Sequence, residues 1–453
     1  MQDLTKGSPV RLILTFAVPM LLGGLFQQTY VLIDAAVVGM VLGVESLAAV
    51  GGSQSVVFLL MGISMGSSAG FAIPVAKAFG AGDMSEVRKT AAAGLLLTIG
   101  VAALITVAGV VGGPLLLNVM NTPPEIIEEA TLFVRALFAG ASTTVLFNYQ
   151  VATVRALGDS RTPLYLLIGS SIFNALLALL FVGGFGWGVA GAALATLTAH
   201  GIAAAVFQVI IWRRLPILRL SRADFAAGSS HLLEPFRLGL PMGLQWSVIA
   251  IGSMSVQMAI NDLGPLSVAA FTAAMRVDSF GTLPMSAFST ALVTYVAQNR
   301  GARQWQRIRQ GVWRTVLVGV GISVVAGLII VMIGSSIVSI LTGGDGEVIA
   351  MSRQVFLTNS TLHWVLAIVF ITRAAVQGMG VASAPFISCV GETLGRIAVA
   401  LLLVPQIGFL GVALAAPIAW LVGYFPLGLS WFRQRAKIIS LEQDTETPLP
   451  LIA

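Results

Sequence analysis

The sequence predicts an all-α membrane protein of twelve transmembrane helices, arranged as two six-helix halves that run in the same direction. Composition is the first reason. Apolar residues make up 57 % of the 453 and charged residues only 10 %, with a mean hydropathy of +0.93. A soluble domain carries charge on about a quarter of its residues, so this chain lacks the polar surface it would need in water. The second reason is twelve apolar stretches, each long enough to cross a hydrocarbon core of about 30 Å. The third is that landmarks of the first half return in the second at a spacing of about 220 residues, far longer than a solenoid repeat.

The repeat is carried by short phrases. Ala76-Lys77-Ala78-Phe79-Gly80-Ala81 returns as Ala297-Gln298-Asn299-Arg300-Gly301-Ala302. Gly158 and Pro163 return as Gly380 and Pro385, Gly188-x-x-Gly191-x-Ala193-Leu194-Ala195 as Gly408-x-x-Gly411-x-Ala413-Leu414-Ala415, and Val18-Pro19-Met20 as Leu240-Pro241-Met242. The spans fall near 12–40, 47–76, 90–113, 130–153, 163–184, 188–212, 236–261, 267–297, 312–341, 351–376, 385–405 and 409–432. Six spans separate the copies, which makes the halves parallel rather than inverted repeats, a build found in secondary transporters. The expected division is an N-terminal lobe at 1–213, a polar linker at 214–235, a C-terminal lobe at 236–437 and a disordered tail at 438–453. The 49 glycines suit helices that approach closely in lipid, and the run Gly62–Gly70 reads as such a packing surface.

Charge placement sets the expected orientation. Lys77, Arg88, Lys89, Arg155, Arg161, Arg213, Arg214, Arg219, Arg222, Arg300, Arg303, Arg307, Arg309, Arg373, Arg433, Arg435 and Lys437 fall at one face. The opposite connections, around Glu45, Asn121–Glu129, Gly184–Trp187, Asp262, Asp345–Glu347 and Gln406, contain no Lys or Arg. The basic face is the cytoplasmic one by the positive-inside rule, which puts both termini inside the cell's inner membrane.

The same features exclude other classes. A pI near 9.9 invites nucleic acid as a partner, but the basic residues sit between apolar spans and form no basic face. The single cysteine, Cys389, allows no intramolecular disulfide, and His200, His231 and His363 lack ligand spacing, so no metal site is expected. Gly80-x-Gly82 follows no strand and is a helix-joining loop rather than a nucleotide cradle, and without a Walker sequence ATP is not the energy source. The first span, Leu12–Met40, is too long for a signal-peptide core, so no removable leader is expected. No catalytic constellation and no organic cofactor is expected, and the protein is expected to be a monomer.

Charges inside spans are the candidate functional groups, because each costs a few kcal/mol at the bilayer centre unless solvated or paired. Asp34, late in the first span, has no basic residue within two turns. It is either a helix-end carboxylate at the outer interface or a deeper group that exchanges a proton for a counter-ion; a kink at Pro19 would place it deeper. In the second half Arg276, Asp278, Glu392 and Arg396 form a candidate charge cluster across the eighth and eleventh spans. Glu392 and Arg396, four apart, share a helix face. A structural ion-pair cluster and a role in coupling or substrate contact both remain open.

Several phrases together resemble the multidrug and toxic compound extrusion (MATE) family over about Thr5 to Arg435. They are Pro19, Asp34 with Val38-Gly39, Leu47-Ala48-Ala49-Val50-Gly51, Gly80-Ala81-Gly82-Asp83 and Leu157-Gly158-Asp159-Ser160-Arg161-Thr162-Pro163. In the second half they are Ala274-Met275-Arg276-Val277, Leu283-Pro284-Met285 and Gln298-Asn299-Arg300-Gly301-Ala302. The resemblance implies a V-shaped fold of two six-helix lobes and export of small cationic or amphiphilic substrates, driven by H⁺ or Na⁺. It leans toward the DinF-like branch, whose N-lobe site matches Asp34, Asn174 and Thr196, with Pro19 as the hinge of the first helix. An Asp that follows the asparagine by one turn in several relatives is Ala178 here, and the carboxylates of the NorM-like sodium site are missing. A hard cation wants several oxygens, so H⁺ is favoured over Na⁺ as the coupling ion. The alternative within the superfamily is a flippase for lipid-linked precursors, expected to show a strongly cationic cavity. A major-facilitator transporter would share the parallel halves but lacks support in the loop between the second and third spans. A membrane enzyme would need convergent His, Asp or Ser-His groups.

Overall fold

The computed structural model describes residues 2–120 and 122–446. Asn121, in the expected outer connection, and 447–453 of the expected tail lie outside the described residues. Every regular element among the described residues is helical. The first half contains α1 (Pro9–Leu42), α2 (Val44–Gly80), α3 (Met84–Val107), α4 (Gly113–Val119), α5 (Ile127–Ala139), α6 (Ala141–Ala156), α7 (Arg161–Ala178) and α8 (Gly188–Arg214). A short α9 (Arg222–Gly228) follows. The second half contains α10 (Leu233–Asp262), α11 (Pro265–Gly301), α12 (Trp305–Thr342), α13 (Gly346–Gly378), α14 (Ser383–Ala398), α15 (Val404–Ile407) and α16 (Phe409–Glu446).

Among the described residues, eleven helical runs are long and apolar enough to span a membrane, and a twelfth span is made by α5 and α6 together. The pair is bent by 51° at its break, within the single span expected near 130–153. Gly140 sits at that break, and a Cβ there would press on Leu197 of α8 at 2.6 Å. The counterpart α13 has no such glycine and runs unbroken. Solvent-facing apolar residues are numerous, with Met332 78 % and Ile340 82 % exposed on α12. Such bare hydrocarbon is tolerated when the surrounding medium is lipid.

The duplication is written into the backbone as well as the sequence. Left-handed φ values recur in register: 93° at Gly43 and 95° at Gly264, 81° at Gly158 and 78° at Gly380, 57° at Gly188 and 59° at Gly408. Gly82 at 75° is matched by Arg303 at 55°, the one described side chain held in a conformation that costs about 1 kcal/mol or more. π-helical turns at Leu179–Gly184 and Val399–Leu403 close the fifth span of each half alike. A single extra residue per turn at the same place in both copies marks an inherited feature of the repeat.

Contacts divide the chain into two compact units: Met1–Asp3 with Val18–Ser247, and Leu4–Ala17 with Val248–Ala453. The expected lobes at 1–213 and 236–437 therefore trade the opening segments of their first helices. In the first unit, α2 places Gly62, Gly66 and Gly70 against the start of α10. A Cβ on Gly66 would lie 2.8 Å from Gly243 Cα, and one on Gly70 2.7 Å from Gly239 N. This is small-residue packing of the kind predicted for Gly62–Gly70. In the second unit the N-terminal segment is held by α11 and α12. Leu4 N donates to Gln298 Oε1 at 3.1 Å, Asn299 Nδ2 donates to Leu4 O at 3.1 Å and Arg307 Nη1 to Gly7 O at 2.8 Å. Pro417 offers Ala413 O no N–H, and the Thr358 hydroxyl of α13 approaches that carbonyl at 3.1 Å while also lying 2.9 Å from Gln354 O in its own helix.

The linker belongs to the first unit. Ser221 and Asp224 form a reciprocal capping box at the start of α9. Asp224 also meets Arg88 at 3.4 Å, and Glu234 meets Lys77 at 3.0 Å. Hydrogen bonds from Ser221, then the Arg88 charge, hold the Asp224 carboxyl below its usual range. A depressed folded pKa stabilises above the unfolded value of about 4 and is lost as pH falls through the lower folded value. Linker docking is thus expected to hold at neutral pH and to loosen only below about pH 4. Asp224→Asn is expected to weaken the cap by about 1 kcal/mol at pH 7, read as faster proteolysis near Arg219 and Arg222.

The expected disordered tail is corrected over its described part, because α16 continues through Glu446. Ile438 is fully buried and Glu442 pairs with Arg309 at 3.2 Å, so an apolar anchor and an ion pair extend the helix past Lys437.

Candidate functional site

In the first unit two of the three predicted site residues touch. Asn174 on α7 is buried, and its Nδ2 donates to Thr196 Oγ1 on α8 at 3.0 Å. The Asn174 Oδ1 is shielded from solvent and accepts no hydrogen bond. Asp34 Oδ1 on α1 is likewise shielded and unpartnered. Val37, one turn after Asp34, packs in one buried cluster with Ala178, one turn after Asn174, and with Ala195, next to Thr196. The three polar residues therefore lie on three helices joined through a common apolar contact. Ala178 is fully buried there, packed with Val37 and Ala195.

Pro19 stands inside α1, which remains one helix from Pro9 to Leu42. Lacking an N–H, it leaves the Thr15 carbonyl without its i+4 donor, a weak point in the helix ladder. The boundary between the two compact units crosses α1 between Ala17 and Val18, beside this proline.

The expected second-half cluster resolves into two separate groups. Asp278 on α11 is buried and bonds His363 Nε2 on α13 at 3.1 Å; His363 lies beside the Trp420 ring, centroids 6.0 Å apart. Glu392 on α14 is engaged by Arg373 of α13 through Nη2, with Arg396 Nη1 at 3.9 Å from its other oxygen. Arg276 is exposed and joins neither group. Asp278 and Arg276 are two residues apart, so the helix turns them about 200° from each other, and only one can face the interior. Arg373, placed by sequence at the basic face, lies within α13 as a partly buried partner of Glu392. Its position five residues before the end of α13 gave no means of telling a snorkelling side chain from an inward one.

Other polar groups are satisfied locally. His200 Nδ1 lies 3.0 Å from Thr144 Oγ1, and its ring stacks on Phe147. Among the described residues no group of three or more His, Cys, Asp or Glu side chains is placed to hold a metal.

Comparison with known proteins gives this geometry a family. The MatE family model matches the chain twice, over residues 19–180 and 241–402, so the two matches repeat the internal duplication. The probable multidrug resistance protein YpnP of Bacillus subtilis is 28 % identical over 308 residues, covering 68 % of each chain. The probable multidrug resistance protein NorM of Thermotoga maritima is 24 % identical over 411 residues, covering 88 % of this chain and 87 % of that one. A solved multidrug resistance MATE family transporter superposes with a TM-score of 0.87 at 24 % identity, covering 97 % of this chain and 98 % of that one. With paired matches spanning both halves and the same helical fold, this chain belongs to the MatE family of multidrug efflux transporters.

Proposed function

We propose that the chain is a proton-coupled antiporter that exports organic cations or amphiphiles across the inner membrane, working as a monomer with both termini in the cytoplasm. One observation carries the coupling site: Asp34 and Asn174 each keep a solvent-shielded oxygen with no donor, on helices joined at Val37, Ala178 and Ala195. A buried acceptor without a donor is costly, and a proton on the carboxylate relieves that cost. An organic cation relieves it equally, so proton and substrate compete for one negative charge. One carboxylate with an amide and a hydroxyl is a sparse oxygen set for Na⁺. Protonation would also let Asp34 donate and the Asn174–Thr196 hydrogen bond rearrange, with Pro19 as the point where α1 bends. The multidrug names of the relatives support the substrate class.

The test is efflux from proteoliposomes under H⁺ and Na⁺ gradients imposed one at a time. Export driven by the H⁺ gradient alone is expected; export that requires Na⁺ and ignores pH would refute proton coupling. Orientation has its own check. A cysteine introduced in the 213–235 linker is expected to react only with reagents that reach the cytoplasm, and one beside Asp345 to label from outside. Reversed labelling would overturn the positive-inside assignment.

A further inference from the structure

The second unit contains a buried charge imbalance that the coupling site does not use. Arg373 on α13 and Arg396 on α14 flank Glu392, with side chains 12 %, 13 % and 6 % exposed respectively. Guanidinium groups stay charged in proteins, so the three side chains sum to one excess positive charge. The other buried carboxylate described in this unit, Asp278, is engaged with His363 rather than with either arginine. Arg373 Nη2 bonds Glu392 and also donates to Ser388 Oγ at 3.3 Å. Arg396 Nη1 stays 3.9 Å from Glu392 Oε2, beyond hydrogen-bond reach. Arg373 Nε and Arg396 Nη1 are both shielded from solvent and have no acceptor.

The surroundings are built closely around this group. A methyl on Gly423 of α16 would collide with the Glu392 side chain. A Cβ on Gly252 of α10 would lie 3.3 Å from Arg396 Cδ, and Thr393 Oγ1 donates to Val248 O at 2.7 Å. These close approaches fix the α14 backbone that presents Glu392 and Arg396. An unpaired buried charge costs several kcal/mol, and two unused N–H donors add to that. An oxyanion relieves both, because its paired oxygens match guanidinium forks.

We propose that Arg373 and Arg396, held about Glu392, form a binding site for the oxyanionic head of an amphiphile, a carboxylate or phosphate, in the second unit. The site goes beyond cation export and stands whichever ion drives transport. It would let the carrier take acidic or zwitterionic amphiphiles besides cations. Each arginine side chain keeps a small exposed part, 12 % for Arg373 and 13 % for Arg396, while its unused donor is shielded, so a headgroup that binds there must displace the packing around that donor.

The experiment uses the full chain in nanodiscs of zwitterionic lipid, titrated with dodecanoate and, as the uncharged control, dodecanol. Dodecanoate is expected to bind at least about tenfold more tightly. Arg396→Gln leaves a neutral Arg373–Glu392 pair, so this variant is expected to fold with undiminished thermal stability and to lose that preference; Arg396→Lys should keep part of it. Equal affinity for dodecanoate and dodecanol in the wild type would overturn the proposal without any variant. So would an unchanged preference in folded Arg396→Gln. Anionic lipid added to the nanodiscs identifies the source of the head. Displacement of dodecanoate by that lipid assigns the site to a membrane lipid, whereas dodecanoate that stays bound and is exported from vesicles assigns it to substrate.

Discussion

Asp34→Asn is expected to reduce gradient-driven efflux to the rate of empty vesicles while the protein still inserts and folds. The substitution keeps shape and removes the ionisable proton. With no negative form available, neither an incoming proton nor a departing cation can alter the site, and the gradient has nothing to act on. Thermal stability should be unchanged or higher, because a carboxylate oxygen shielded without a partner is replaced by an uncharged amide that is cheaper to bury. Asp34→Glu keeps the charge on a longer stem and is expected to retain partial transport with a shifted pH profile. Wild-type efflux with wild-type pH dependence in Asp34→Asn would remove Asp34 as the coupling group and turn attention to the buried Asp278–His363 pair.

The second large effect concerns stability. Glu392→Gln strips two buried guanidinium groups of the carboxylate between them, and is expected to cost about 3–5 kcal/mol. The rescue should be specific. Arg373→Gln added to Glu392→Gln removes the more closely engaged charge and should recover a large part of the loss. A double-mutant cycle in detergent, read by thermal or denaturant unfolding, measures this coupling. Strictly additive losses for Glu392 and Arg373 would contradict the bond between them. Arg276→Gln is the control: the side chain is exposed, so a change within about 0.5 kcal/mol is expected.

The two predictions also mark how far residues alone could lead. Asp34 stood out because a carboxylate within an apolar run is costly wherever the helix packs, and Asn174 and Thr196 came with the family resemblance. Their mutual hydrogen bond, and the link to Asp34 through Val37, needed three helices brought together. The second-half charges show the opposite outcome. Arg276 and Asp278 looked like members of one cluster with Glu392 and Arg396, yet Asp278 bonds His363 and Glu392 bonds Arg373. Helical rotation sends Arg276 outward, and both true partners come from α13, a helix the charge pattern had not singled out.

By itself the sequence determined the membrane solvent, the number and approximate places of the spans, and the duplication that recurs in the left-handed turns at Gly158 and Gly380. These are properties of local runs: apolar length sets a span, and a φ-demanding turn sets its own residue. Tertiary structure alone decided the bend at Gly140, the docking of the linker on α3, the helical tail pinned by Ile438 and Glu442, and the partners of Asp278 and Glu392. The reason is physical. In a membrane most helix surfaces are alike in hydrophobicity, so composition cannot say which faces meet. Small residues at close approaches choose the neighbours, and the neighbours then choose the partner of each charge.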